Sequence, residues 1–311
     1  MGNELLALYQ LGKISINEAM EHLIDDKKKQ SYNNFLKEER EETLQEIIDE
    51  LDMLIGLNNV KDLVCEIKAF IEIQAKRRKE NLLAEPVVLH MIFKGNPGTG
   101  KTTVARLIGK IFKKMGMLEK GHLVEIERAD IVGEYIGHTA VKVKQQVKKA
   151  LGGILFIDEA YSLARGGNKD FGKEAIDALV KAMEDYKDNL ILILAGYYDE
   201  MEEFLRSNPG LKSRFPIHIE FKDYTTDELL KIGELIASQK EYRLSERAII
   251  KLKNILILKN DSYNSGNARL VRNIIEKSFR KQALRLQNKK NLTREDLILI
   301  KAEDIAGDDL Y

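Results

Sequence analysis

Eight consecutive residues, Gly95-Asn96-Pro97-Gly98-Thr99-Gly100-Lys101-Thr102, satisfy the pattern GxxxxGK[ST] in full. Glycines let a chain fold tightly enough for successive backbone N–H groups to point at phosphate oxygens, and the N-terminus of a following helix adds its positive dipole end. The spacing assigns Lys101 to the β- and γ-phosphates of ATP and the Thr102 hydroxyl to Mg²⁺. Asn96, Pro97, Gly98, Thr99, Gly100 and Thr103 complete the expected phosphate-binding set.

A second group lies at Ile154-Leu155-Phe156-Ile157-Asp158-Glu159, an apolar run that delivers two adjacent carboxylates. Ligands of open α/β sheets bind at the carboxyl ends of the strands. There Asp158 would hold Mg²⁺, directly or through water, and Glu159 would polarise a water for in-line attack on the γ-phosphate. Two carboxylates favour ATP hydrolysis over nucleotide binding alone, because the second has no other evident task.

Such groups need a sheet to hold them. Val87 to Phe93 is a short β-branched and apolar run that ends at the glycine cluster, and Val104, Leu107, Ile108, Ile111 and Phe112 follow at helical spacing,. The unit is strand, glycine loop, helix. Four more apolar runs, Leu123 to Ile126, Ile154 to Ile157, Leu190 to Ala195 and Ile217 to Phe221, alternate with helical patterns. This predicts the α/β fold of a P-loop NTPase, a parallel five-stranded sheet with helices on both faces.

Beyond Asp223 the strand signal stops, and both Thr225-Thr226-Asp227-Glu228 and Thr293-Arg294-Glu295-Asp296 have capping-box spacing,. A nucleotide-binding domain over 53–223 and a small all-helical lid domain over 224–311 are therefore expected. Ahead of them, residues 1–24 carry two short apolar-periodic segments divided at Gly12, the second opening with Ser15-Ile16-Asn17-Glu18. Asp25 to Asp52 is dense in Lys and Glu, so residues 1–52 read as a helical extension and solvated connector.

Fifty basic residues balance fifty acidic ones. No global positive field exists to drive phosphate-backbone binding, which argues against a nucleic-acid partner. Cys65 is the single cysteine and the five histidines lack HExxH spacing, which excludes a disulfide within the chain and a multi-Cys zinc site. Met1 to Leu6 has no basic n-region, and the longest apolar stretch, Leu190 to Tyr198, falls well short of the roughly 18 residues of a membrane span. The expectation is a cytoplasmic chain without membrane insertion.

With these motifs in place, the stretch from Ile55 to about Leu286 resembles the AAA+ ATPases, specifically the family of the stage V sporulation protein K and the red-type Rubisco activase. Phe93 to Arg106, Val132 to Thr139, Gly152 to Leu163 and Asn208 to Phe215 carry the resemblance, and Gly166 to Ala175 pulls it toward the sporulation protein. The resemblance implies a homo-oligomeric ring, usually a hexamer, whose pore loop Tyr135-Ile136-Gly137 grips an extended protein client. It also implies that Arg214 is an arginine finger reaching the neighbouring subunit's site. Gly266 to Asn273 then matches the sensor-2 helix, with Arg269 at the γ-phosphate and Arg272 as the fallback, and Ile55-Gly56-Leu57 packs on the adenine. One position departs from the AAA+ pattern: the polar sensor-1 residue falls within Leu194 to Tyr198, where Tyr197 offers the hydroxyl in place of Asn or Thr.

Without the resemblance, Tyr135 would read as a core or turn aromatic and Arg214 as a surface arginine. With it, the implied function is an ATP-hydrolysing ring motor that remodels or threads a protein client in spore formation. The alternatives are a Rubisco-activase-like remodeller, a nucleotide-dependent interaction switch and a nucleic-acid loader.

Overall fold

The computed structural model describes residues 42–85, 87–135, 137–166, 170–260, 266–287, 289 and 291–306. The helical hairpin expected over 1–24 and the connector as far as residue 41 lie outside the described residues, as do Ile136 and residues 167–169. The chain divides into two compact units, Met1–Glu46 and Ile47–Tyr311. Helix α1 (Leu44–Asp52) starts behind a reciprocal cap: the Thr43 N–H and the Glu46 N–H each donate to the other residue's side chain, at 2.8 and 3.2 Å.

Helix α2 (Asn58–Lys79) precedes β1 (Met91–Gly95), the glycine loop and α3 (Lys101–Lys114). Then come β2 (Leu123–Ile126), α4 (Arg128–Ile131), α5 (His138–Ala150), β3 (Gly153–Ile157) and a 3₁₀ turn over Ala160–Ala164. Next are α6 (Gly172–Asp185), β4 (Leu190–Gly196), α7 (Tyr198–Ser207), α8 (Pro209–Lys212) and β5 (Ile217–Phe221). The five strands form one parallel sheet, as the alternation predicted, in the order β2-β3-β4-β1-β5. Strands β1, β3 and β4 are buried at every position, the pattern of strands covered on both faces.

Side-chain alternation divides the core in two. Ile92, Leu155, Ile157, Leu192 and Leu194 pack with Val143 and Val147 of α5 and Leu179 and Met183 of α6. The opposite face carries Phe93, whose ring centroid lies 6.3 Å from that of Phe156 and 5.0 Å from that of Phe221. Helix α3 buries Val104, Leu107, Ile108, Ile111 and Phe112, the residues picked out by periodicity.

The first strand differs from expectation. Its ladder begins at Met91 rather than Val87, and the reason is His90. The His90 Nδ1 accepts the Leu192 N–H at 3.1 Å, so a side chain takes a backbone donor of β4 just upstream of the Met91↔Ile193 pair.

His90 is buried, and burial lowers its pKa to about 4. The unfolded chain takes up this proton near pH 6.5 while the folded chain does not, so stability falls as pH drops from there toward 4. Between pH 7 and 5 the loss from this one group is ~2 kcal/mol. Asparagine can still accept the Leu192 N–H but does not titrate. Urea unfolding at both pH values should therefore find His90→Asn losing ~2 kcal/mol less than wild type; equal losses would remove His90 as the source.

After β5 come α9 (Thr226–Gln239), β6 (Arg243–Leu244), α10 (Glu246–Asn260), α11 (Asn267–Leu286), α12 (Arg294–Ile298) and β7 (Leu299–Ile300). Thr225 and Thr293 cap α9 and α12 with the reciprocal bonds that their spacing predicted. The expected all-helical lid carries one addition, a parallel ladder of two residues between β6 and β7, too short to leave an alternating pattern. Gln282 donates to the carbonyls of Leu297 and Leu299 at 3.1 Å and Arg285 grips buried Asp304 through two 2.8 Å bonds, fastening this end of the chain to α11. Among the described residues no helix is long and apolar enough to cross a membrane.

Candidate active site

The glycine loop leaves β1 at the carboxyl edge of the sheet and turns into α3. Gly100, in the left-handed region at φ 97°, caps that helix without a side-chain hydrogen bond, so the first N–H groups of α3 face the loop unsatisfied by any side chain. Gly98 is required for a different reason: a Cβ there would lie 2.4 Å from the Gly266 carbonyl oxygen and 2.9 Å from the Arg269 nitrogen. The Lys101 Nζ donates to the carbonyls of Gly95 and Asn96 at 2.7 and 2.8 Å, folding over the inside of the loop. Burial lowers the Lys101 pKa, and the nearby charge of Asp158 opposes that shift.

The carboxylates arrive from β3. The Asp158 N–H donates to the Ile126 carbonyl at 3.0 Å, which extends the β2–β3 pairing one residue past the strand. An Asp158 carboxylate oxygen accepts the Glu159 N–H, also at 3.0 Å. Glu159 has φ 47° and ψ 42°, a left-handed conformation that costs a non-glycine residue about 1–2 kcal/mol. The turn swings its side chain off the strand axis and into the same cavity as Lys101.

That cavity has a volume of about 320 Å³, within the range of small-molecule sites. Lys101, Thr102, Asp158, Glu159, Tyr197 and Arg269 line it together with Pro97, Gly98, Gly100 and Thr103. Arg272, the fallback one turn after Arg269, lines it too. Asn96 and Thr99 do not; the Asn96 amide donates to both Asp223 carboxylate oxygens at 3.0 and 2.8 Å, and the Thr99 hydroxyl donates to the Asn96 carbonyl at 2.7 Å. They shape the loop. Ile55 and Gly56 also stay outside the lining, with Gly56 against Tyr224 and Glu228 and the Leu57 side chain beside Gly100.

Arg214, Tyr135 and Gly137 also lie outside this lining. The Arg214 guanidinium donates to Glu184 at 2.9 and 3.2 Å and to the Gly210 carbonyl at 2.9 Å. Tyr135 is 66% exposed, edge-on to His138 with ring centroids 5.5 Å apart, and Gly137 is the left-handed residue that opens α5.

A contact between lid and loop escaped the sequence reading. Asn267, fully buried and left-handed at φ 45°, accepts the Tyr224 N–H at 3.0 Å and donates to Asp223 at 2.9 Å. Beside it the Ala268 N–H donates to the Gly98 carbonyl at 3.1 Å, and the Tyr224 hydroxyl donates to the Thr99 carbonyl at 3.1 Å. Burial pushes the Tyr224 hydroxyl up to about 12, so it remains a donor. Asn after Gly in the 266–273 block was the available signal, since Asn tolerates this conformation.

The donor set fits a magnesium nucleotide. Lys101, Arg269 and Arg272 are cations for phosphate oxygens, beside helix N–H groups without side-chain caps. Thr102 and Asp158 supply two oxygen donors, enough for Mg²⁺, which keeps several waters and takes its other ligands from phosphate. Among the described residues no group of three or more His, Cys, Asp or Glu could form a protein-only metal cage.

Residues 91–223 match the ATPase family associated with various cellular activities (AAA), and residues 225–310 match the AAA lid domain. The chain is 54% identical over 266 residues to the stage V sporulation protein K of Bacillus subtilis, spanning 85% of this chain and 83% of that protein. It is 44% identical over 282 residues to the chloroplastic ribulose bisphosphate carboxylase/oxygenase activase of Cyanidioschyzon merolae, spanning 89% and 96%. Among solved structures, the Thermotoga maritima RuvB Holliday junction branch migration motor shares the fold, with a TM-score of 0.53 at 21% identity, over 82% of this chain and 68% of that one. The glycine loop, the paired carboxylates, the lid and these relatives agree: the chain belongs to the AAA+ ATPases, in the family of the stage V sporulation protein K and the red-type Rubisco activase.

Proposed function

We propose that this ATPase is a homo-oligomeric ring motor, a hexamer, that converts ATP hydrolysis into the remodelling of a protein client during spore formation in the cytoplasm. The observation that carries the ring is the position of Arg214. It matches the family's finger, yet it pairs with Glu184 and lines no part of its own chain's cavity. A second copy can bring it to the γ-phosphate. Identity to the Bacillus subtilis protein supports the sporulation assignment.

Within one chain, the loop N–H groups and Lys101 hold the β- and γ-phosphates. Thr102 and Asp158 hold Mg²⁺, which when bound supplies positive charge to the phosphate oxygens. Glu159 takes a proton from the attacking water, and Arg269, with Arg272 one turn on, reads the γ-phosphate from the lid. Tyr197 takes the sensor-1 place with its hydroxyl. Ile55 and Gly56 close the adenine end. The proposed division is extension 1–52, nucleotide domain 53–223 and lid 224–311, with the contact between Gly98 and the start of α11 passing nucleotide state from loop to lid.

Tyr135-Ile136-Gly137 is the gripping loop of this proposal. An exposed tyrosine stacks on varied side chains without demanding a sequence, and Tyr135 has that exposure. In Bacillus subtilis lacking its stage V sporulation protein K, the wild-type chain should restore spore yield. Tyr135→Ala should fail there while purified ATPase stays within about two-fold of wild type. Full rescue by Tyr135→Ala would favour a nucleotide-dependent interaction switch; no rescue by wild type would remove the sporulation assignment.

A further inference from the structure

Strand β2 brings an unassigned carboxylate to the metal end of the site. Glu125 lies in register with Phe156 of β3, two residues before Asp158. The Asp158 N–H bond to the Ile126 carbonyl fixes the two strand ends together. Across the gap, the Thr102 hydroxyl donates to the Glu125 carboxylate at 3.2 Å.

A threonine hydroxyl has one hydrogen and two lone pairs. To ligate a cation it must present a lone pair, so its hydrogen needs an acceptor elsewhere. Within a helix the usual acceptor is the carbonyl four residues back, but Thr102 is the second residue of α3 and Gly98, four back, lies in the loop ahead of the helix.

We propose that Glu125 is a positioning residue for the magnesium site: its carboxylate accepts the Thr102 hydroxyl proton and so turns the oxygen's lone pairs toward the cation. The inference rests on the reading of Thr102 as a magnesium ligand. Glu125 acts through Thr102 and touches neither nucleotide nor metal. Groups that orient a metal ligand in this way typically change metal affinity about 10–100-fold when removed.

The test follows binding of a fluorescent ATP analogue to the full-length chain while Mg²⁺ is titrated. Glu125→Ala should need about ten-fold more Mg²⁺ for half-maximal effect, with binding in EDTA unchanged. Glu125→Gln, which keeps an acceptor oxygen but loses the charge, should stay within about three-fold of wild type. A wild-type Mg²⁺ requirement in Glu125→Ala would overturn the proposal, and so would weaker binding in EDTA, which would mark a structural role. Thr102→Ala separates the two readings. If it leaves the Mg²⁺ requirement unchanged, the ligand reading fails and this proposal with it; if it raises the requirement while Glu125→Ala does not, only the role of Glu125 fails. The double variant should be no worse than Thr102→Ala alone, and additive losses would overturn action through Thr102.

Discussion

Arg214→Ala should lower ATP turnover by ~10³-fold or more, the scale of an arginine finger, and should leave ATP binding unchanged. The turn that presents Arg214 is held from behind: Phe215 is buried, and its carbonyl accepts a hydrogen bond from the His218 Nε2 at 2.9 Å. In front, among the described residues, the guanidinium is anchored by Glu184 and the Gly210 carbonyl. An exposed ion pair of this kind contributes about 0–1 kcal/mol, so releasing it to a γ-phosphate costs little. Steady-state phosphate release and equilibrium binding of a fluorescent nucleotide check the two halves of the expectation.

Mixing sharpens it. Arg214→Ala chains keep Glu159, and Glu159→Gln chains keep Arg214. If the finger acts between copies, a mixture of the two inactive proteins contains sites with one good residue from each, and activity returns to a fraction of wild type. If Arg214 serves its own chain, every site lacks one essential group and the mixture stays silent.

The parts of the site that the sequence made legible are those whose chemistry is local. Glycine spacing around Lys101 and two acids after a four-residue apolar run imply a phosphate cradle and a carboxylate pair because a few neighbouring residues suffice. Helix caps at Thr225 and Thr293 were readable for the same reason. Asn267 was not, because its partners, Tyr224, Asp223 and the Pro97 carbonyl, lie far from it along the chain. His90 reads as a strand residue because an apolar run gives no hint that an imidazole will replace a ladder bond. Glu125 lies inside a strand that the pattern places, yet nothing local marks it, since only the packing of β2 beside α3 gives it Thr102 as a neighbour. Arg214 and Tyr135 are common residue types whose proposed roles come from the family resemblance, and no periodicity singles them out.

Glu159→Gln should bind Mg²⁺·ATP and lose turnover by ~10²–10⁴-fold, the scale of general-base catalysis. Glutamine has nearly the same shape and can still hold a water, but its amide does not take the proton that a carboxylate takes. The left-handed backbone at this position, with its N–H on the Asp158 carboxylate, is indifferent to that exchange. The loss therefore falls on chemistry rather than on folding. Because ATP then persists in the site, the variant also reports assembly. Its solution mass with Mg²⁺·ATP should be that of a ring, and adding Arg214→Ala should weaken the ring if, as proposed, a γ-phosphate draws the guanidinium from Glu184 to the neighbour. Wild-type turnover in Glu159→Gln would remove Glu159 as the base. A monomer under every nucleotide condition would leave the ATP site standing and remove the ring, and the finger would then have to come from a partner of another kind.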